Sequence, residues 1–177
     1  MRNIKKILFP IDLIEDSSKI LPYVLSVSEK YNSMIYLLHV LEDLRLGYRA
    51  YVPNVPHNAL NIFQKEALQI AEKAMDRVCV EQLQGCPNFQ RRITSGDPVT
   101  EILRIIDAED IDLVIMGTHG RKGLEHVVFG SVAEKVLKKS PVPVLVMNPY
   151  NVPPVDTFEW GYQKETWTGV QAVRSAS

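Results

Sequence analysis

The sequence predicts a three-layer α/β/α sandwich built on a parallel β-sheet, and three observations carry that reading. Four short apolar runs recur along the chain: Ile7-Leu8-Phe9, Ile35-Tyr36-Leu37-Leu38, Leu113-Val114-Ile115-Met116 and Val144-Leu145-Val146-Met147. Each is nearly continuous rather than alternating, as expected of strands that helices cover on both faces. Segments of helical period separate them, so strands and helices alternate as successive βα units.

The first run ends at Pro10-Ile11-Asp12, and Glu15, Asp16 and Ser18 read as the capped start of a helix, without chemistry of their own. That helix covers Ile20 to Lys30 and contains Pro22. A proline in a helix interior deletes a backbone bond, so the helix is expected to begin late or to kink. After the second run, Leu41 to about His57 holds prolines, a glycine and tyrosines with little periodicity, the mark of a long loop of the kind that often carries function. A helix follows over Leu60 to Leu83. The next candidate strand, Phe89 to Thr94, carries Gln90, Arg91 and Arg92 and belongs at a sheet edge where one side meets water. Asp97-Pro98 supplies a helix N-cap followed by proline at the first helical position, where a missing N–H costs nothing, so Val99 to Asp107 is helical. Val132 to Lys138 forms the last helix. Beyond Met147, Pro149, Pro153 and Pro154 lead into Phe158, Trp160, Tyr162 and Trp167 without amphipathic pattern. The division is one domain over 1–148 and an extension, an arm rather than a domain, over 149–177.

Composition narrows the function classes. The 177 residues are 46% hydrophobic, enough for one packed core. Twenty basic residues against 21 acidic ones leave a net charge of −1, which offers no general attraction for nucleic acid. Arg2, Lys5 and Lys6 precede an apolar stretch, but Pro10 and Asp12 interrupt it too soon for a signal peptide. No apolar run approaches the ~20 residues needed to cross a bilayer. The expectation is a soluble, unexported, cytoplasmic protein that contacts no membrane. Cys79 and Cys86 could form one disulfide but read as reduced thiols, without metal-ligand spacing.

The chemistry concentrates between Gly117 and Ser131. Met116-Gly117-Thr118-His119-Gly120-Arg121-Lys122-Gly123 follows a buried strand, and Gly130-Ser131-Val132-Ala133-Glu134 opens a helix. Phosphate binding needs several backbone N–H groups converging on one anion, and glycine permits the close approach this demands. A helix starting at Ser131 would add its own N–H groups and the positive end of its dipole. A simpler explanation stands beside this one: Ser131 and Glu134 spell an S-x-x-E capping box, and Gly117 and Gly120 suit a turn with no ligand at all. The Walker P-loop and the dinucleotide G-x-G-x-x-G are both absent.

Gly117-x2-Gly120-x9-Gly130-Ser131 matches the G-x2-G-x9-G-[ST] signature of ATP-binding universal stress proteins, and the chain resembles that family over roughly residues 3 to 148. Ile7-Leu8-Phe9-Pro10-Ile11-Asp12 looks like the family's first strand with its terminal aspartate, Leu38-His39-Val40 like the end of the second, and Ser140 to Val146 like the last. The resemblance implies a five-stranded parallel sheet in the order 3-2-1-4-5, an adenine nucleotide alpha hydrolase-like fold. Its switch point between strands one and four is where open α/β sheets bind ligands. It also implies ATP, or ADP or AMP in its place, with Mg2+ held by the phosphates. Pro10, Ile11 and Asp12 would then surround adenine and ribose, Val40 would line the adenine pocket, and Met116 would pack nearby. Gly117, Gly120, Gly130, Ser131 and Val132 would hold ribose and phosphates. His119 and Arg121 flank the phosphate charge, while Lys122 reads as solvated.

The activity that the resemblance implies is a nucleotide-dependent stress-response module with slow or no hydrolysis, since no glutamine or glutamate beside the glycines would position a water. A weak ATPase stays open. A response-regulator receiver is excluded because the third strand runs into Thr94-Ser95-Gly96, and a flavodoxin because Leu13-Ile14-Glu15 replaces a hydroxyl-rich phosphate loop. The alternative within the family is a dimer that works through protein contacts without nucleotide. A homodimer through the last strand, Val142 to Met147, is expected in either case, with the aromatic arm contributing to higher assembly and an unidentified protein as a further partner.

Overall fold

The computed structural model describes residues 3–13, 19–42, 57–83, 86, 88–118 and 130–150. Strands β1 (Lys6–Pro10), β2 (Met34–Leu41), β3 (Phe89–Ser95), β4 (Leu113–Gly117) and β5 (Val144–Met147) form one sheet in the order β3-β2-β1-β4-β5, with every pairing parallel. Helices α1 (Leu21–Tyr31), α2 (His57–Gln82), α3 (Pro98–Ala108) and α4 (Ser131–Lys139) connect them. The expected class and strand order are both present.

Successive strand side chains point to opposite faces, and that alternation sorts the core into two layers. Ile7, Phe9, Ile35, Leu37 and Ile115 pack with Leu21, Val24 and Leu25 of α1 and Met75 of α2. Leu8, Tyr36, Leu38, Val114 and Met116 pack with Val99, Ile102, Ile105 and Ile106 of α3 and with Ala133 and Val136 of α4. Each fully buried aliphatic side chain contributes about 1.5–3 kcal/mol relative to exposure, which is why apolar runs facing both ways demand helices on both sides.

Helix boundaries follow local chemistry. Pro22 sits in the first turn of α1, so the helix begins late and is not broken. Asn32 ends it in the left-handed conformation at φ 53, and its N–H bonds back to the last turn. Asp97 caps α3 by accepting from the Thr100 N–H at 2.9 Å and the Thr100 hydroxyl at 2.7 Å. Helix α2 starts at His57, ahead of the apolar period that begins at Leu60, and it leaves Ile62, Phe63 and Ile70 exposed.

Strands β3 and β5 form the two sheet edges, the first as the sequence suggests. On β3 the exposed Arg91 pairs with Asp76, and Arg92 reaches Glu109 at 2.9 Å. At the other edge β5 begins only at Val144, not at Val142 as expected. Pro143 has no N–H for the ladder and contributes only its carbonyl, which accepts from Val114 N at 3.0 Å. Cys79 and Cys86 are free thiols, each half-buried. Among the described residues no helix is long and apolar enough to cross a membrane. The expected helix start at Glu15, Asp16 and Ser18, most of the loop before His57, and the arm beyond Tyr150 lie outside the described residues.

Candidate functional site

The site begins where two central strands part. Pairing of β1 with β2 runs through Pro10↔Leu38 and is extended by Ile11 N–H to the Leu38 carbonyl at 2.8 Å. Pairing of β4 with β5 runs through Gly117↔Met147 and is extended by Thr118 N–H to the Met147 carbonyl at 2.8 Å. Registered pairing of β1 with β4, by contrast, stops at Leu8↔Val114. The reason is covalent. Backbone groups of alternate residues on β1 face β2 and β4 in turn, and the Ile11 N–H faces β2, so the position of Pro10 faces β4. Proline has no N–H to give, and the rung is lost.

The resulting crevice opens at the carboxyl ends of β1 and β4, where the strand order reverses, the usual ligand site of an open α/β sheet. By the same alternation the backbone of Asp12 faces β4 and that of Gly117 faces β1, so the two look toward each other across the opening. Gly117 brings no Cβ to obstruct it. Just past Asp12, Leu13 adopts φ 61, a left-handed conformation costly for a leucine, where the extended strand ends.

The second half of the glycine segment is tied to the first by one hydrogen bond. The Gly130 N–H donates to the Thr118 carbonyl, so the start of α4 is held against the end of β4. Residues 119–129, with the candidates His119, Gly120 and Arg121, lie outside the described residues. Thr118 is buried and was not singled out from the sequence. Nothing in its neighbours' pattern marks it, because its importance comes from the pairing of its two backbone groups with β5 and Gly130.

The capping box is not formed. Gly130 is the N-cap of α4, with no side-chain capping bond, and Ser131 is the first helical residue with an exposed side chain. Glu134 instead bonds Lys138 at 2.6 Å, one turn along the helix. That pair holds the Glu134 carboxyl below its ordinary pKa, first through the Lys138 hydrogen bond and then through its charge. Among the described residues no side chain caps the first-turn N–H groups of α4, and the Ser131 hydroxyl does not act as its N-cap.

The apolar candidates divide between the two faces of the sheet. Val40 and Val132 pack at the border of the α3/α4 core cluster, to which the buried Met116 belongs. Ile11 belongs to the opposite cluster, against α1. Asp12 is half-buried, with its Oδ2 atom shielded from solvent. His39, not singled out as a site residue from the sequence, also enters: its Nδ1 lies 2.7 Å from the Ile11 carbonyl oxygen.

The family model for universal stress proteins matches residues 3–148. The chain belongs to the universal stress protein family. A relative at 31% identity is the universal stress protein MJ0577 of Methanocaldococcus jannaschii, aligned over 83% of this chain and 96% of the relative. The universal stress protein YxiE of Bacillus subtilis is 28% identical over 80% of this chain and 97% of its own length. Among solved structures, MJ0577 superposes with a TM-score of 0.70 at 29% identity, covering 83% of this chain and 97% of that one. A universal stress protein solved in complex with cAMP superposes at 0.57 and 17% identity, over 84% of this chain and 99% of its own, and so shares the fold.

Proposed function

We propose that this universal stress protein binds an adenine nucleotide, with ATP as the leading ligand and ADP or AMP as alternatives, and acts as a nucleotide-dependent stress-response module. The observation that carries the proposal is the bond from Gly130 to Thr118, which joins a glycine-bearing strand end to the glycine-capped start of α4 at the mouth of the β1/β4 crevice. Backbone N–H groups and a helix dipole gathered at one place suit a phosphate. Asp12 would accept from ribose or the adenine amine, and Pro10, Ile11, Val40 and Met116 would flank the base. Gly117, Gly130, Ser131 and Val132 would hold ribose and phosphates, joined by Gly120 and the flanking His119 and Arg121 in the segment outside the described residues. The cAMP complex of a protein with this fold lends support for an adenine ligand.

Mg2+ would arrive with the phosphates, as the family resemblance implies. Met116 and Thr118 beside Gly117, and Ser131 beside Gly130, offer no carboxylate or amide to orient a water, which supports slow turnover or none. Association is proposed through β5, where Leu145 is 43% exposed on a strand that ends the sheet among the described residues. The test is ligand identification on freshly purified protein by denaturation and mass spectrometry, followed by calorimetric titration with ATP, ADP, AMP and cAMP. Adenine nucleotide by either route supports the proposal, and none by both overturns it.

A further inference from the structure

The end of β1 is held by an unusual rung. Ile11 N–H donates to the Leu38 carbonyl at 2.8 Å, and a continued parallel ladder would bring the Val40 N–H to the Ile11 carbonyl. At that carbonyl sits the imidazole of His39, with Nδ1 at 2.7 Å. A carbonyl oxygen only accepts, so Nδ1 carries the proton and the neutral ring is the Nδ1–H tautomer. The ring belongs to β2, whose residue His39 is in register with Ile93 of β3, so its backbone is fixed within the sheet.

The bond also orients the next peptide group. The Ile11–Asp12 peptide is trans, so its carbonyl and the Asp12 N–H point in opposite directions. With the carbonyl drawn toward β2, the Asp12 N–H is directed toward β4 and the crevice. Immediately afterwards Leu13 takes its left-handed conformation, and a turn so placed needs its preceding peptide plane to be defined. We infer that His39 is a positioning residue: its Nδ1–H locks the Ile11–Asp12 peptide and thereby presents Asp12 to a ligand in the β1/β4 crevice. This rests on the nucleotide-binding reading proposed above. His39 itself touches Ile11, and its effect on ligand passes through Asp12.

Three variants separate this role from simple packing. His39→Asn places an amide nitrogen where Nδ1 stood and keeps the donor. His39→Gln moves the donor to the place of Nε2, and His39→Leu removes it. The measurements are ATP affinity by calorimetry, thermal melting for fold, and long-range 1H–15N correlation spectra of the wild-type ring at a pH where it is neutral. The expected result is an Nδ1–H tautomer, ATP binding by the Asn variant within about twofold of wild type, and a loss of roughly three- to tenfold in the Gln and Leu variants, the range of one hydrogen bond. An Nε2–H tautomer, or wild-type affinity in a folded Leu or Gln variant, would overturn the inference while leaving nucleotide binding intact. Equal loss in all three variants also overturns it. Failure of the wild-type chain to bind any adenine nucleotide would instead sink the nucleotide reading, and the positioning role with it.

Discussion

Replacing Gly130 with valine separates binding from folding. Gly130 has φ −69 and ψ 151, ordinary extended backbone that valine adopts without strain. Its N–H to Thr118 survives the change, because valine keeps the donor. Folding loses only the preference for glycine over a branched residue at an N-cap, about 1 kcal/mol or less. For a chain of this length that is a fall of roughly 2–4 °C in melting temperature. Binding is hit harder. A phosphate oxygen must come within about 2.9 Å of backbone N–H groups, and the methyls of valine stand in the path. Two lost hydrogen bonds to a charged ligand, at about 1.5–3 kcal/mol each, predict at least a hundredfold loss of affinity. Calorimetry with ATP and a melting curve on the same sample read both quantities. A folded Gly130→Val protein that binds ATP within threefold of wild type would refute the placement of phosphate at the start of α4.

Asp97→Ala should lower stability by about 1 kcal/mol, because both Thr100 bonds are lost, and urea titration measures it. The Thr100 side-chain and backbone bonds hold the Asp97 carboxyl below its ordinary pKa, so its contribution is present above the normal carboxylate range and is lost as pH falls through the folded-state value. The stability gap between wild type and Asp97→Ala should therefore narrow in acid, and a gap independent of pH would count against the cap. Burial pushes the Cys79 thiol from 9.0 up to about 11, so its thiolate fraction at neutral pH is depressed about a hundredfold and alkylation followed by mass spectrometry should be correspondingly slow. Fast labelling of the native protein would contradict that environment. Leu145→Glu puts a charge on the exposed edge strand and should shift the proposed dimer to monomer in sedimentation velocity, with the melting temperature little changed; an unaltered sedimentation coefficient rules out assembly through β5.

Much of this was legible in the chain because it is local. Apolar runs such as Ile7-Leu8-Phe9 and Leu113 to Met116 announce buried strands, and Asp97-Pro98 announces a helix start, since side-chain periodicity and proline geometry act over a few residues. Spacing of the glycines carries the family resemblance for the same reason, and the family model matches the chain over residues 3–148. Ser131 and Glu134 show the limit. Their spacing suits a capping box, yet Gly130 takes the cap and Glu134 turns to Lys138, a choice settled by where β4 pins the chain through Thr118.

What the sequence alone determined is therefore the set of elements, their alternation, the family and the glycine-bearing strand end. Only the tertiary structure decided how those pieces meet. Pro10 opens the crevice because the lost rung happens to face β4 rather than β2, and a one-residue shift of register would have turned it the other way. His39 matters because β2 carries it beside the Ile11 carbonyl, 28 residues away along the chain. Hydrogen bonds between distant residues are set by register and packing, and no local pattern encodes them.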